Sequence, residues 1–188
     1  PRLPIWLGGP EVSYDAEAFL MEYPEVRGVM RGEGETVFPA LASLYIEGTG
    51  SFQTIAGITY WNDQGELQIN EDGAPANMDE LPFVYGHLED FSHKIIYYES
   101  SRGCPFRCAY CLSSLEKKLR FRSLDLVKKE LGFFLQAEVP QVKFLDRTFN
   151  CNPRRTVDLW QWILDHDNGI TNFHFEIAAD LITEEELA

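Results

Sequence analysis

The sequence predicts an α/β protein in two parts: the end of a doubly wound parallel sheet, then the first three βα units of a (β/α) barrel. Two observations predict this. Towards both ends of the chain, short apolar runs alternate with stretches whose apolar residues recur at helical spacing. Over residues 51–92 the alternation lapses into a hairpin signal and a polar connector, separating residues 1–50 from 93–188. A chain of 188 residues, 45% of them apolar, can fill one core or two small ones.

The elements follow in order. Residues 5–7 form a short strand, ended by Gly8-Gly9-Pro10. Residues 15–22 are helical until Pro24, and residues 29–30 form a second strand leading into Arg31-Gly32-Glu33-Gly34-Glu35. Val37, Leu41, Leu44 and Tyr45 then mark a helix ending at Gly48. This βαβα order implies a parallel sheet, and two strands are too few to be stable alone. Strands preceding residue 1 are expected to complete it. In the middle stretch, strands at 55–61 and 66–70 flank the turn Asn62-Asp63-Gln64-Gly65, and Asp79-Glu80-Leu81-Pro82-Phe83 is a connector. The third stretch opens with a strand at 95–99. Ser123 is placed to cap a helix with Leu124, Val127, Leu131 and Phe134 on one face, ending near Pro140. A strand at 142–145 follows. Asn152 and Pro153 then take the N-cap and first helical positions of a helix that Gly169 closes. A third strand is expected at 173–178, and Thr183 with Glu186 forms a capping box for a third helix. The chain opens without Met and closes where a helix starts, so it is expected to be a piece of a longer one.

The most informative chemistry is Cys104-Pro105-Phe106-Arg107-Cys108-Ala109-Tyr110-Cys111, with cysteines spaced C-x3-C-x2-C directly after a strand. A [4Fe–4S] cube has four iron corners, and three thiolates on one loop leave one iron open to a substrate or cofactor. Gly103 lets the backbone approach closely, and Pro105 keeps the loop out of a helix. A Cys3His zinc site and unligated core thiols are the other readings of the spacing. In a (β/α) barrel the active site gathers at the C-terminal ends of the strands, where the cysteine loop, Asp146 and Glu176 all fall.

Other residues weigh in differently. Asp146 could bind an ammonium group, or be a solvated turn residue or a partner for Arg147. Glu176 could hold a polar cofactor group or form a salt bridge. Cys151, at a helix start that would favour thiolate, is expected to be a free thiol, because a fourth ligand would block the open iron. His87, His93, His166 and His174 have no metal-ligand spacing. Gly32-Glu33-Gly34 is a weak phosphate cradle, since Glu33 and Glu35 would repel an anion. The net charge of −14 argues against a general nucleic-acid binder. The basic group Lys117, Lys118, Arg120 and Arg122 suits neutralising a cluster better. No apolar run reaches membrane-spanning length and no signal peptide stands at the start, so a soluble cytoplasmic protein is expected.

Further segments occur in a set order: Leu7-Gly8-Gly9-Pro10-Glu11, Val29 to Glu35, Ala56-Gly57-Ile58-Thr59-Tyr60, Asp79 to Pro82, Arg102-Gly103-Cys104, Arg120-Phe121-Arg122-Ser123 and Phe144 to Asn150. Together they resemble the radical S-adenosylmethionine (SAM) enzymes with an N-terminal cobalamin (B12)-binding domain, a group often named after the anaerobic magnesium-protoporphyrin monomethyl ester cyclases. The resemblance covers nearly the whole chain. It implies a Rossmann-like front domain with Gly8 and Gly9 near the nucleotide tail of cobalamin. It also implies a [4Fe–4S] cluster on Cys104, Cys108 and Cys111, and SAM whose adenine meets Tyr110, with Asp146 and Glu176 near the same cofactor. In that family the open iron chelates SAM, and an electron from the cluster cleaves it to a 5′-deoxyadenosyl radical. A small-molecule substrate and a one-electron reductant such as flavodoxin or ferredoxin are implied partners. The Asp-x-His-x-x-Gly motif that supplies the lower cobalt ligand in many members is absent, which leaves cobalamin an open member of the cofactor set. Methyl transfer and oxidative ring formation are both open outcomes. A tRNA methylthiotransferase, which the acidic balance disfavours, a zinc-binding interaction module and a non-catalytic cobalamin sensor are the alternatives. An unpaired sheet edge and an apolar barrel face are expected to drive self-association.

Overall fold

The computed structural model describes residues 3–87, 91, 93–115 and 118–184. The chain divides into two compact units, Pro1–Asn77 and Met78–Ala188.

The first unit runs β1 (Trp6–Gly8), α1 (Pro10–Ser13), α2 (Ala16–Glu22), β2 (Gly28–Met30), α3 (Gly34–Glu47), β3 (Ile58–Trp61) and β4 (Leu67–Ile69). Its sheet has the order β1-β2-β3-β4. Only β1 and β2 are parallel; β3 and β4 run antiparallel to their neighbours. The doubly wound expectation is corrected here to a mixed sheet, and the hairpin set apart at 51–92 belongs to this sheet. The reason is burial: Ile58, Thr59 and Tyr60 are at most 1% exposed, which an isolated hairpin could not achieve. Successive β2 residues serve opposite faces. Val29 joins Val12, Ala16, Leu20 and Val26 from α1, α2 and the following turn, whereas Met30 packs on Val37, Leu41, Ile58 and Tyr60 beside α3. Gly28 has to be glycine, because a Cβ there would stand 2.4 Å from the Trp6 ring.

The second unit contains β5 (Ile95–Tyr98), β6 (Ser101–Arg102), β7 (Arg120–Phe121), α4 (Leu124–Gln136), β8 (Gln141–Phe144), α5 (Pro153–Asp165) and β9 (Asn172–His174). β5, β8 and β9 form a parallel sheet in that order, with Tyr97 opposite Lys143 and Lys143 opposite His174. Alternation puts Ile96, Tyr98, Val142 and Phe144 into a core with Val127, Leu131 and Phe134 of α4 and Leu159 of α5. Ile95 and Tyr97 are exposed on the other face. Asn152 caps α5 as expected, its side-chain oxygen accepting from the Arg155 amide at 3.3 Å, with Pro153 following. Ser123 departs from expectation. Its side chain makes no cap bond, and its own amide donates to Asp79 Oδ1 at 2.7 Å. The third strand is shorter than expected, stopping at His174. Thr183 leads towards residues outside the described ones, among them Glu186, as is Lys117.

β6 and β7 form an antiparallel ribbon that closes the cysteine loop at its base. Beneath it, Arg122 donates to Glu130 Oε1 at 2.7 Å and to the Leu81 carbonyl at 2.9 Å, while Tyr98 Oη donates to Glu130 Oε2 at 2.5 Å. Burial and the Glu130 charge push the Tyr98 hydroxyl well above its usual range, which keeps it a donor. No helix among the described residues is long and apolar enough to cross a membrane.

Candidate functional site

The cysteine loop leaves the C-terminal end of β5 through β6 and returns through β7. Gly103 makes that path possible. Its φ is +100°, and an added Cβ would lie 2.6 Å from the Lys118 carbonyl oxygen of the returning arm. Cys104, Cys108, Cys111 and Cys151 are all free thiols. Cys104 is half-buried with its Sγ 3.5 Å from Thr148 Oγ1, and Cys108 and Cys111 are exposed. The turn joining those two is closed by the Cys111 amide donating to the Cys108 carbonyl at 3.1 Å.

The Cys111 thiol is lowered from its usual value, chiefly by hydrogen bonds from the Ser113 amide and side chain, with a smaller effect of the Arg147 charge. Thiolate character is what a metal ligand needs. Among the described residues no three His, Cys, Asp or Glu side chains converge on a single ion. A cubane makes no such demand, since each thiolate takes its own iron. Three free thiols on one loop, one of them biased towards thiolate, fit that group. Tyr110, 94% exposed, leaves its ring open to a flat ligand.

Two of the four residues of the expected basic group bear on this site differently. Arg122 is buried against Glu130, and Lys117 lies outside the described residues. Arg147, expected only as a partner for Asp146, acts on the Cys111 thiol.

Asp146 is fully buried, so the solvated reading is corrected. Its carboxylate is engaged by Ser100 and Ser101 instead of Arg147: Ser100 donates from its amide at 3.1 Å and its hydroxyl at 2.9 Å, and Ser101 from its amide and from its hydroxyl at 2.7 Å. Burial pushes the carboxyl up to about 6, against the opposing pull of those hydrogen bonds. Glu176 lies beyond the end of β9, its side chain 3.6 Å from Lys143 Nζ and its carbonyl accepting from the Phe149 amide at 2.9 Å. That is the salt-bridge alternative. The Cys151 thiol is raised, first by burial and next by the Asp146 charge, so the expected thiolate tendency at the helix start is reversed.

Other candidates fall elsewhere. His166 stacks on Trp162 at 4.2 Å with Nδ1 2.8 Å from the Trp162 carbonyl, a packing role at the end of α5. His174 and His93 are exposed, and the His87 side chain lies outside the described residues. Glu33 accepts from the Ala76 amide at 2.7 Å, so the Gly32-Glu33-Gly34 turn is no anion cradle. Gly8 closes β1, and Gly9, with φ +98°, has nothing within 4 Å of an added Cβ. Gly9 thus leaves open space beside the backbone, whereas a Cβ on Gly8 would meet Met30 at 3.4 Å, and residues 1–77 contain no histidine for a cobalt ion. Sequence reasoning missed Ser100, Ser101 and Thr148. Two hydroxyl residues directly before Arg102-Gly103-Cys104 were the available signal.

No family model matches the chain. It is 34% identical over 166 residues to an uncharacterized methyltransferase of Pyrococcus horikoshii, covering 82% of this chain and 36% of the relative. It is 22% identical over 166 residues to the cobalamin-dependent radical SAM methyltransferase TokK of Streptomyces tokunonensis, covering 82% of this chain and 24% of TokK. It is 22% identical over 199 aligned residues to the anaerobic magnesium-protoporphyrin IX monomethyl ester cyclase of Rubrivivax gelatinosus, covering 100% of this chain and 36% of the cyclase. Among solved structures, the cobalamin-dependent S-adenosylmethionine radical enzyme OxsB with aqua-cobalamin and S-adenosylmethionine bound matches with a TM-score of 0.70 and 24% identity. That match covers 90% of this chain and 25% of OxsB. The chain thus spans between 24% and 36% of the length of these curated relatives.

Proposed function

We propose, from the premise that this chain is a homologue of the cobalamin-dependent radical SAM methyltransferases and the anaerobic magnesium-protoporphyrin IX monomethyl ester cyclases, that it is part of an enzyme that begins its reaction by reductive cleavage of SAM. The observation that carries this reading is the loop of three free thiols at the C-terminal edge of a parallel sheet. Cys104, Cys108 and Cys111 would hold a [4Fe–4S] cluster, which when bound supplies the electron for SAM cleavage and an iron free to take the cofactor.

The chain's own residues have defined tasks in this reading. Ser113 and Arg147 bias Cys111 towards its ligating form. Tyr110 offers an aromatic face to the adenine of SAM. Glu176, half-exposed and 3.6 Å from Lys143 Nζ, would have to give up that salt bridge to take a polar group of SAM. The β5-β8-β9 sheet with α4 and α5 is the first part of a (β/α) barrel, which puts the loop, Arg147 and Glu176 at the catalytic end of the strands. The first unit is the end of a cobalamin-binding domain, and the open space at Gly9 supports close approach of the cofactor there. The outcome is methyl transfer or oxidative cyclisation on a small molecule, with a flavodoxin- or ferredoxin-like protein as electron donor. The net charge of −14 supports a small-molecule over a nucleic-acid substrate. Residues left exposed on the open sheet face, Ile95 and Tyr97 among them, support self-association when that face is uncovered.

The test is electron paramagnetic resonance of the full-length protein, reconstituted and reduced under anaerobic conditions. Adding SAM should change the cluster signal, because SAM becomes a ligand of one iron. A signal indifferent to saturating SAM would remove the proposal.

A further inference from the structure

The turn that follows β8 holds the cysteine loop at two points. The first is Asp146, fully buried, whose two oxygens accept from both amides and both hydroxyls of Ser100 and Ser101. Ser100 stands in the corner between β5 and β6 and Ser101 opens β6, the last two residues before Arg102-Gly103-Cys104. The second is Thr148, also buried, whose hydroxyl lies 3.5 Å from Cys104 Sγ. Arg155 reinforces the corner from α5: it donates to the Ser100 carbonyl at 3.3 Å, and its guanidinium lies 5.2 Å from the centre of the Phe121 ring on β7.

Four donors on one buried carboxylate leave it little capacity for an external cation, and they lock two consecutive residues of a loop base in place. We infer that Asp146 is a positioning residue for the cysteine loop: by clamping Ser100 and Ser101 it fixes the corner from which the loop departs, and so sets where Cys104 meets Thr148. The consequence for catalysis rests on the proposed function; the clamp itself does not. A loop base displaced by about 1 Å would misplace the first ligand, and errors of that size are costly wherever reacting groups must be aligned.

The experiment uses the full-length protein without cluster, kept reduced and anaerobic. Each cysteine is followed separately by iodoacetamide labelling and peptide mass spectrometry. In the unsubstituted protein Cys108 and Cys111, being exposed, should label ahead of Cys104. Asp146→Asn should accelerate Cys104 about tenfold, the change expected when one or two charge-assisted hydrogen bonds stop opposing local opening. Cys151 should keep its rate. Ser101→Ala, a milder variant that removes one hydroxyl donor, should shift Cys104 in the same direction by less, and it provides the reading if Asp146→Asn does not fold. An unchanged Cys104 rate in the folded variants would overturn the inference, as would an equal rise at Cys151, which signals general loosening. Failure of the unsubstituted protein to respond to SAM would sink the proposed function and leave this labelling result standing.

Discussion

At the scale of single residues, Asp146 has the clearest measurable signature. Its folded value of about 6 lies above the ordinary carboxylate value near 3.8. The native state therefore holds this proton more tightly than the unfolded chain does. The stabilisation is complete below about pH 4 and is lost as the pH rises through about 6, a swing of about 3 kcal/mol. Asparagine at this position does not ionise. Denaturant melts at pH 4.5 and 7.5 should show the unsubstituted protein losing ground to Asp146→Asn as the pH rises, and parallel behaviour would contradict the burial argument. The three cysteines of the loop were legible as a set in the sequence because their spacing is local. The partners of Asp146 were not, since Ser100 and Ser101 reach it across 46 and 45 positions of chain.

At the scale of elements, the most consequential contact is the buried pair of Arg122 and Glu130, which ties the residue after β7 to α4 and, through Tyr98 and Leu81, to β5 and the connector. Removing one partner strands the other charge out of water, so Glu130→Ala should cost about 3–5 kcal/mol. Replacing Arg122 and Glu130 together by Met should cost less, and thermal melts of both variants check the order. Helices α4 and α5 were readable from their 3.6-residue periodicity and from Asn152-Pro153. The two-residue strands β6 and β7 were not, because so short an element carries no period. The hairpin was found from its turn, but its membership in the first unit's sheet depends on the burial of β3, which no local pattern reveals.

At the scale of the whole molecule, two α/β units are joined in one chain, and the second carries its thiols where parallel sheets place their chemistry. The mixed sheet of the first unit could not be foreseen, since a βαβα order reads as parallel until the antiparallel partner of β2 is known. The proposed assignment gives the [4Fe–4S] cluster to Cys104, Cys108 and Cys111, and not to Cys151. Its most direct test is the iron and sulfide content of the anaerobically reconstituted full-length protein and its four single Cys→Ala variants. About four irons per chain are expected for the unsubstituted protein and for Cys151→Ala, with loss of the cluster in each of the other three. A Cys151→Ala variant that loses as much iron as Cys108→Ala, or an unsubstituted protein that takes up none, would contradict it.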